Sequence, residues 1–314
     1  MGTLRVTFKL GLAHPLCLPR GLPDLPIVIE FPDTGNTVRI EPPQFGDPTE
    51  WGKQLGALDT LTLHVERECP DAEGQDTTYA NNERLSINRD AGRAFWLLFE
   101  HLRDLESQKD FEPGWPRIVP SYPIAPAEVI QHNPLVRACE TEWIYNGATV
   151  GHQPFGGLGT VGITPTSWAE AGRRLREGIR VPAYRSFALD ACYFATSGDP
   201  PRAVIMACAA WETALREYLG RVAILQSPAY GIAAQELRTI PALYRFVKAA
   251  RGGPLFHDDP DAPKVLEREL VEELPRLRNK LVHEGLKDLP EGSALSHALA
   301  VLNAIEWLFG GVSP

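Results

Sequence analysis

Residues 200–222 read PPRAVIMACAAWETALREYLGRV, and this stretch decides the fold of the second half of the chain. Val204, Cys208, Trp211, Leu215, Tyr218 and Val222 recur at spacings of four and three, so they fall on one stripe of a helix of about 23 residues. Pro200 and Pro201 stand in the first turn, where a helix tolerates proline, and Ser197-Gly198-Asp199 ahead of them is a tight turn. Tyr184, Phe187, Ala188, Ala191, Phe194 and Ala195 make the stripe of a second helix on the far side of that turn. A connection this short makes antiparallel neighbours, so the two helices form a hairpin.

Toward the C-terminus the helical pattern continues. A third helix begins near Thr239-Ile240-Pro241 and stops at Gly252-Gly253. A fourth runs from about Ala262 to Glu284, with Pro275 kinking it or splitting it in two and Gly285 as its C-cap. Ser293 caps a last helix whose Leu295, Ala298, Leu299, Leu302, Ile305 and Leu308 share a side.

Toward the N-terminus the period changes. Leu4 to Leu10 and Leu61 to Glu66 alternate apolar and polar residues, as half-buried strands do. Pro26 to Phe31 and Thr37 to Ile40 flank the turn cluster Asp33-Thr34-Gly35-Asn36. Pro70 to Asn82 is polar and reads as a loop. A helix follows, capped by Asn88 or Asp90, with Ala94, Phe95, Leu97, Leu98, His101, Leu102 and Leu105 on its apolar side. Five prolines hold 111–127 extended or looped. Leu135 to Tyr145 and Ala148 to Val150 form a hairpin across Asn146-Gly147. Thr166 or Ser167 caps a short helix to Arg176, which Gly178 stops. The expected fold class is α+β in two domains: a β-rich domain with one or two helices over 1–178, then an all-α bundle over 181–314.

Composition narrows the functional classes. Of 314 residues, 44% are hydrophobic and 23% charged, which is globular rather than disordered. No run of about 18 apolar residues exists, so no membrane span is expected. The chain start lacks the order of a signal peptide, and a cytoplasmic location is expected. The five cysteines are widely spaced without a C-x-x-C pair, so they read as buried thiols rather than disulfides or zinc ligands. From Arg180 onward 15 Lys and Arg face 16 Asp and Glu, while the remaining 16 face 24, so the net charge of −9 lies almost wholly in the N-terminal part. Broad nucleic-acid binding by that part is disfavoured, and any RNA contact must come from a local basic cluster further on.

Such a cluster is Arg276-Leu277-Arg278-Asn279-Lys280, with His283 just beyond. Arg278 and His283 are about 140° and about 7.5 Å apart along a helix, and a long guanidinium can span that offset. Asn279 is one turn from His283 and can bond toward it. A histidine moves protons near neutral pH, and an arginine fork stabilises charge growing on phosphate oxygens. Together they supply what cleavage of RNA by its own 2′-hydroxyl needs, with no metal or cofactor and with DNA left intact. Arg276 and Lys280 would hold RNA phosphates. Glu212 lies on or beside the apolar stripe of the helix at 200–222, where a carboxylate is costly unless paired. Either Arg278 pairs with it and is oriented by it, or Glu212 sits at the stripe's edge and reaches water.

On Arg278-Asn279-x-x-x-His283, late in a helical domain that opens with a hairpin, residues 181–310 resemble the HEPN superfamily, small helical bundles with an R-x(4-6)-H motif in a later helix. The resemblance implies catalytic roles for Arg278, Asn279 and His283. It also implies a metal-independent ribonuclease of the toxin and antiviral-defence kind, working as a homodimer with two motifs in one cleft. The N-terminal part, resembling no named family, would then be a sensor for an unknown trigger. The rival is a HEPN-like module without nuclease activity that serves binding or dimerisation. A third option is a sugar- or nucleotide-binding β domain with a helical oligomerisation tail. Gly157-Leu158-Gly159-Thr160-Val161-Gly162 matches G-x-G-x-x-G, but His152-Gln153-Pro154 precedes it and Ile163-Thr164-Pro165 follows, where a dinucleotide site needs a buried strand before and a helix opening inside, so it reads as a loop. His257 with Asp258, Asp259 and Asp261 reads as a solvated acidic loop, and the other histidines show no metal-ligand spacing.

Overall fold

The computed structural model describes residues 2–17, 25–43, 57–69, 77–108, 136–145, 148–153, 161–162, 165–252, 267–284, 289 and 292–309. Two compact units meet in sequence between Arg180 and Val181.

The first unit is built on a sheet. Its strands are β1 (Gly2–Cys17), β2 (Ile27–Phe31), β3 (Asn36–Ile40), β4 (Ala57–Cys69), β5 (Val136–Tyr145), β6 (Ala148–Gln153) and β7 (Val161–Gly162). They lie in the order β2-β3-β4-β1-β5-β6, antiparallel along that path, and β7 pairs with β1 in parallel. Register follows from apolar alternation. Val6 sits opposite Val65, Phe8 opposite Leu63 and Leu10 opposite Leu61, and all six are buried. A slip of one residue would turn that whole set to solvent. Helix α1 (Thr77–Gln108) packs on β3 and β4, and α2 (Pro165–Arg176) packs on α1 and β2. Phe95, Phe99 and Trp168 fill the space under them.

The structure corrects three expectations for this unit. Helix α2 already starts at Pro165, so Thr166 and Ser167 lie inside it and neither is its cap. Helix α1 begins at Thr77, inside the stretch expected to be a loop and well before Asn88 and Asp90. Asp90 is fully buried in mid-helix and is no cap. Its carboxylate accepts from Asn36 Nδ2 at 2.7 Å, Thr34 Oγ1 at 2.5 Å and Arg93 Nη1 at 3.0 Å. It thereby pins the β2–β3 turn, in which Gly35 takes a φ of 72°. The β5–β6 pairing matches the expected hairpin. Its Asn146-Gly147 turn, the proline-rich stretch 111–127, the His257 loop, Gly285 and most of the glycine-rich loop lie outside the described residues.

The second unit is helical among its described residues. Helix α3 (Ala183–Thr196) and α4 (Pro200–Glu217) form the expected hairpin. Between them Gly198 has φ 85°, and Asp199 caps α4 by accepting from the Arg202 amide. A π-helical turn, Tyr218–Val222, prolongs α4. Helix α5 (Pro228–Glu236) has no periodic apolar signal in the sequence, because it buries only Ala233. Helix α6 (Ile240–Arg251) ends on Gly252 at φ 73°. Pro275 does not break the fourth expected helix: the backbone stays helical from 267 to 283, a π-helical segment, Glu269–Glu273, running directly into α7 (Leu274–His283) with the proline in its first turn. Helix α8 (Ser293–Phe309) closes the unit against α3 and α4. Trp211 is fully buried at the centre of this core. No helix among the described residues is long and apolar enough to cross a membrane.

Candidate functional site

Helix α7 holds the motif, and its packing sorts the motif's faces. Leu274 is buried, while Leu277 and Leu281 are half-buried against the core. Residues spaced three, four and seven apart share a face, so Arg276, Asn279, Lys280 and His283 form one stripe to one side of the leucines. Arg278 falls at the other border of the leucine face, toward α4, on which α7 packs.

Arg276, Arg278, Asn279 and His283 are exposed, and Lys280 is half-buried. Arg278 Nη1 donates to Asn279 Oδ1 at 3.0 Å. The asparagine carbonyl is therefore engaged by its neighbour rather than by His283. His283 is the last residue of α7, and the Glu284 amide closes the helix by donating to the Lys280 carbonyl at 3.0 Å. Among the described residues, none of Arg276, Arg278, Lys280 and His283 pairs with a carboxylate.

Glu212 has a different partner from Arg278. Arg216, one turn on along α4, donates to its Oε1 at 2.7 Å, and the Glu212 side chain is 39% exposed. Arg216 also donates to the Ala234 carbonyl at 2.5 Å and the Leu237 carbonyl at 2.8 Å. The pair thus fastens the end of α5 to α4. Glu212 sits at the edge of the stripe, the second of its two expected positions. Glu212 and Arg278 still act on one group, Cys208. Burial pushes the Cys208 thiol up to about 11, with Arg278 opposing that shift and Glu212 adding to it. The thiol stays protonated and unreactive near neutral pH.

An open groove of about 570 Å³ runs between α7, the π-helical segment before it and the start of α8. Arg276 and Lys280 contribute one wall, and His297 lines the other. His297 has no ligand-like spacing to another histidine, so the sequence alone does not single it out. The signal lies in its neighbours: Ala294, Ala298 and Val301 are buried beside it, and His297 itself is only 9% exposed. A titratable ring inside an apolar helix face needs a partner. That partner is Glu269, whose Oε1 lies 2.8 Å from His297 Nδ1. The carboxylate stands off the line of the ring N–H, so the contact is one of charge rather than an aligned hydrogen bond. Among the described residues no three His, Cys, Asp or Glu side chains gather as a metal site requires.

The chain matches no family model, no curated protein and no solved structure.

Proposed function

We propose that the chain is a metal-independent endoribonuclease of HEPN type, cutting RNA by attack of the substrate's own 2′-hydroxyl. The observation that carries this is the state of the α7 end. A guanidinium, an amide, a second cationic pair and an imidazole stand there without carboxylate partners among the described residues, all but Lys280 exposed. Surface cations normally find acidic neighbours, as Arg173 does with Glu170 and Glu177 in the first unit. A cationic turn left open is suited to phosphate.

In this mechanism His283 takes the proton from the 2′-hydroxyl or gives one to the leaving 5′-oxygen. Arg278 stabilises the charge on the non-bridging oxygens of the pentacoordinate phosphorus. Asn279 holds the Arg278 fork in place, while Arg276 and Lys280 contact neighbouring phosphates. The β-rich unit would serve as the sensor, and the nuclease would act as a toxin or antiviral-defence effector. One observation favours the rival, an inactive binding or dimerisation module: Asn279 is turned to Arg278 and not to His283, so the three groups are not pre-assembled in a single chain. Expression of the wild type beside His283→Ala in a bacterial host separates the two. The nuclease reading predicts arrested growth and fragmented RNA with the wild type only. Equal growth and intact RNA with both favour the rival.

A further inference from the structure

The groove beside α7 has a chemistry of its own. Arg276 and Lys280, given above to RNA phosphates, line it, while Arg278, Asn279 and His283 do not, so the inference deepens the phosphate contacts of the nuclease reading without resting on its catalytic groups. Two carboxylates border it, and both are engaged: Glu269 by His297 at 2.8 Å and Glu273 by Arg268 at 2.9 Å. The charges left without a carboxylate partner are Arg276 and Lys280, one turn apart on the same wall. Across from them is His297, a ring nine-tenths buried that makes no aligned hydrogen bond to protein among the described residues. Glu269 stands beside its Nδ1, which leaves Nε2 as the nitrogen available to a ligand. Ser293 and Ser296 add hydroxyls at the start of α8.

We propose that this groove binds a phosphate monoester. A monoester carries about 1.5 to 2 negative charges near neutral pH, which two unpaired cations match. A phosphodiester carries one. Glu269 occupies the Nδ1 side of the ring, so Nε2 is the nitrogen that a phosphate oxygen or hydroxyl can meet. A monoester has a proton that titrates near neutrality and can share it with Nε2; a diester has none to share. The groove, about 570 Å³ and open to solvent, is wider than one ion needs and leaves room for the rest of a molecule that bears the phosphate. Two sources offer this group: a free mononucleotide and the 5′-phosphate end of an RNA.

The test reads the His297 ring directly by NMR on histidine-labelled full-length protein, with His297→Gln used only to assign its resonance. Inorganic phosphate should shift that resonance saturably. Arg276→Ala/Lys280→Ala changes exposed or half-exposed side chains and should keep the fold, checked by an unchanged melting curve. It should weaken phosphate binding roughly tenfold or more. Adenosine monophosphate displacing phosphate would assign the free nucleotide. A 5′-phosphorylated oligoribonucleotide displacing it, where its 5′-hydroxyl twin does not, would assign the RNA end. Three results would overturn the proposal: a ring resonance unmoved by phosphate up to about 10 mM, equal affinity in the double variant, or equal displacement by the 5′-hydroxyl oligoribonucleotide.

Discussion

Asp90 shows how much one side chain can hold. It is fully buried and accepts hydrogen bonds from three side chains, two of them in the β2–β3 hairpin. Asp90→Ala leaves the buried Asn36 amide with only its longer bond to Ser86 Oγ at 3.3 Å and takes the acceptor from Thr34 as well, so desolvated donors lose their main partner. The expected loss is about 3 kcal/mol, read as a lower urea midpoint. A loss under about 1 kcal/mol would mean the turn holds without the carboxylate. His283 is the opposite case. It is exposed at a helix end, so His283→Ala should stay within about 0.5 kcal/mol of wild type, which makes it a clean probe of chemistry. The two residues also differ in how legible they are. His283 can be picked out because Arg278 and a cationic run stand beside it in sequence. Asp90 looks like a cap in sequence because its partners Asn36 and Thr34 lie more than 50 positions away. His297 is hidden for the same reason: Glu269 meets it only after the chain has turned through α7.

At the scale of elements, apolar alternation marks β1 and β4, and short apolar runs either side of a turn cluster mark β2 and β3, since one face of each is buried. Helix α5 is illegible because it buries only Ala233, with Tyr230 and Ala234 half-buried beside it, too few apolar positions to show a period. Arg216 binds two of the carbonyls at its end, Ala234 and Leu237. Arg216→Ala should therefore raise amide exchange across 228–237 while leaving the core of α4 protected. Uniform exchange across both helices would refute that local role. In α1 the pKa of His101 is lowered, chiefly by burial, then by Arg174, against the opposing charge of Asp104. His64 on β4 is lowered too, again chiefly by burial and against Glu41. A depressed histidine binds its proton more readily once unfolded, so the unfolded state takes up protons first as pH falls. The stability of the β-rich unit should be full above the ordinary histidine value of 6.5 and should decline as pH drops through it. Melting temperatures measured across that window should show the decline, and it should shrink in His101→Gln. A melting temperature that rises as the pH drops would contradict the assignment.

For the whole molecule, the two units are legible as a change of period near residue 180, from two to 3.6. Their functions are not, because a fold does not fix chemistry. Cleavage by a 2′-hydroxyl needs a base on one side of phosphorus and an acid on the other, and one His283 cannot stand on both sides. Two copies related by a two-fold axis supply the second imidazole. A homodimer through the helical unit is therefore expected, seen by light scattering at micromolar concentration. A chain that stays monomeric with RNA and still cleaves would refute the shared site.

The central claim is that Arg278 and His283 cut RNA without a metal. It is tested most directly by incubating purified wild type, Arg278→Ala and His283→Ala with RNA in excess EDTA and identifying the new ends. Wild-type products should end in 2′,3′-cyclic phosphate, with each variant slower by about a hundredfold or more. Cleavage that stops in EDTA, or variants that cut at the wild-type rate, would contradict it.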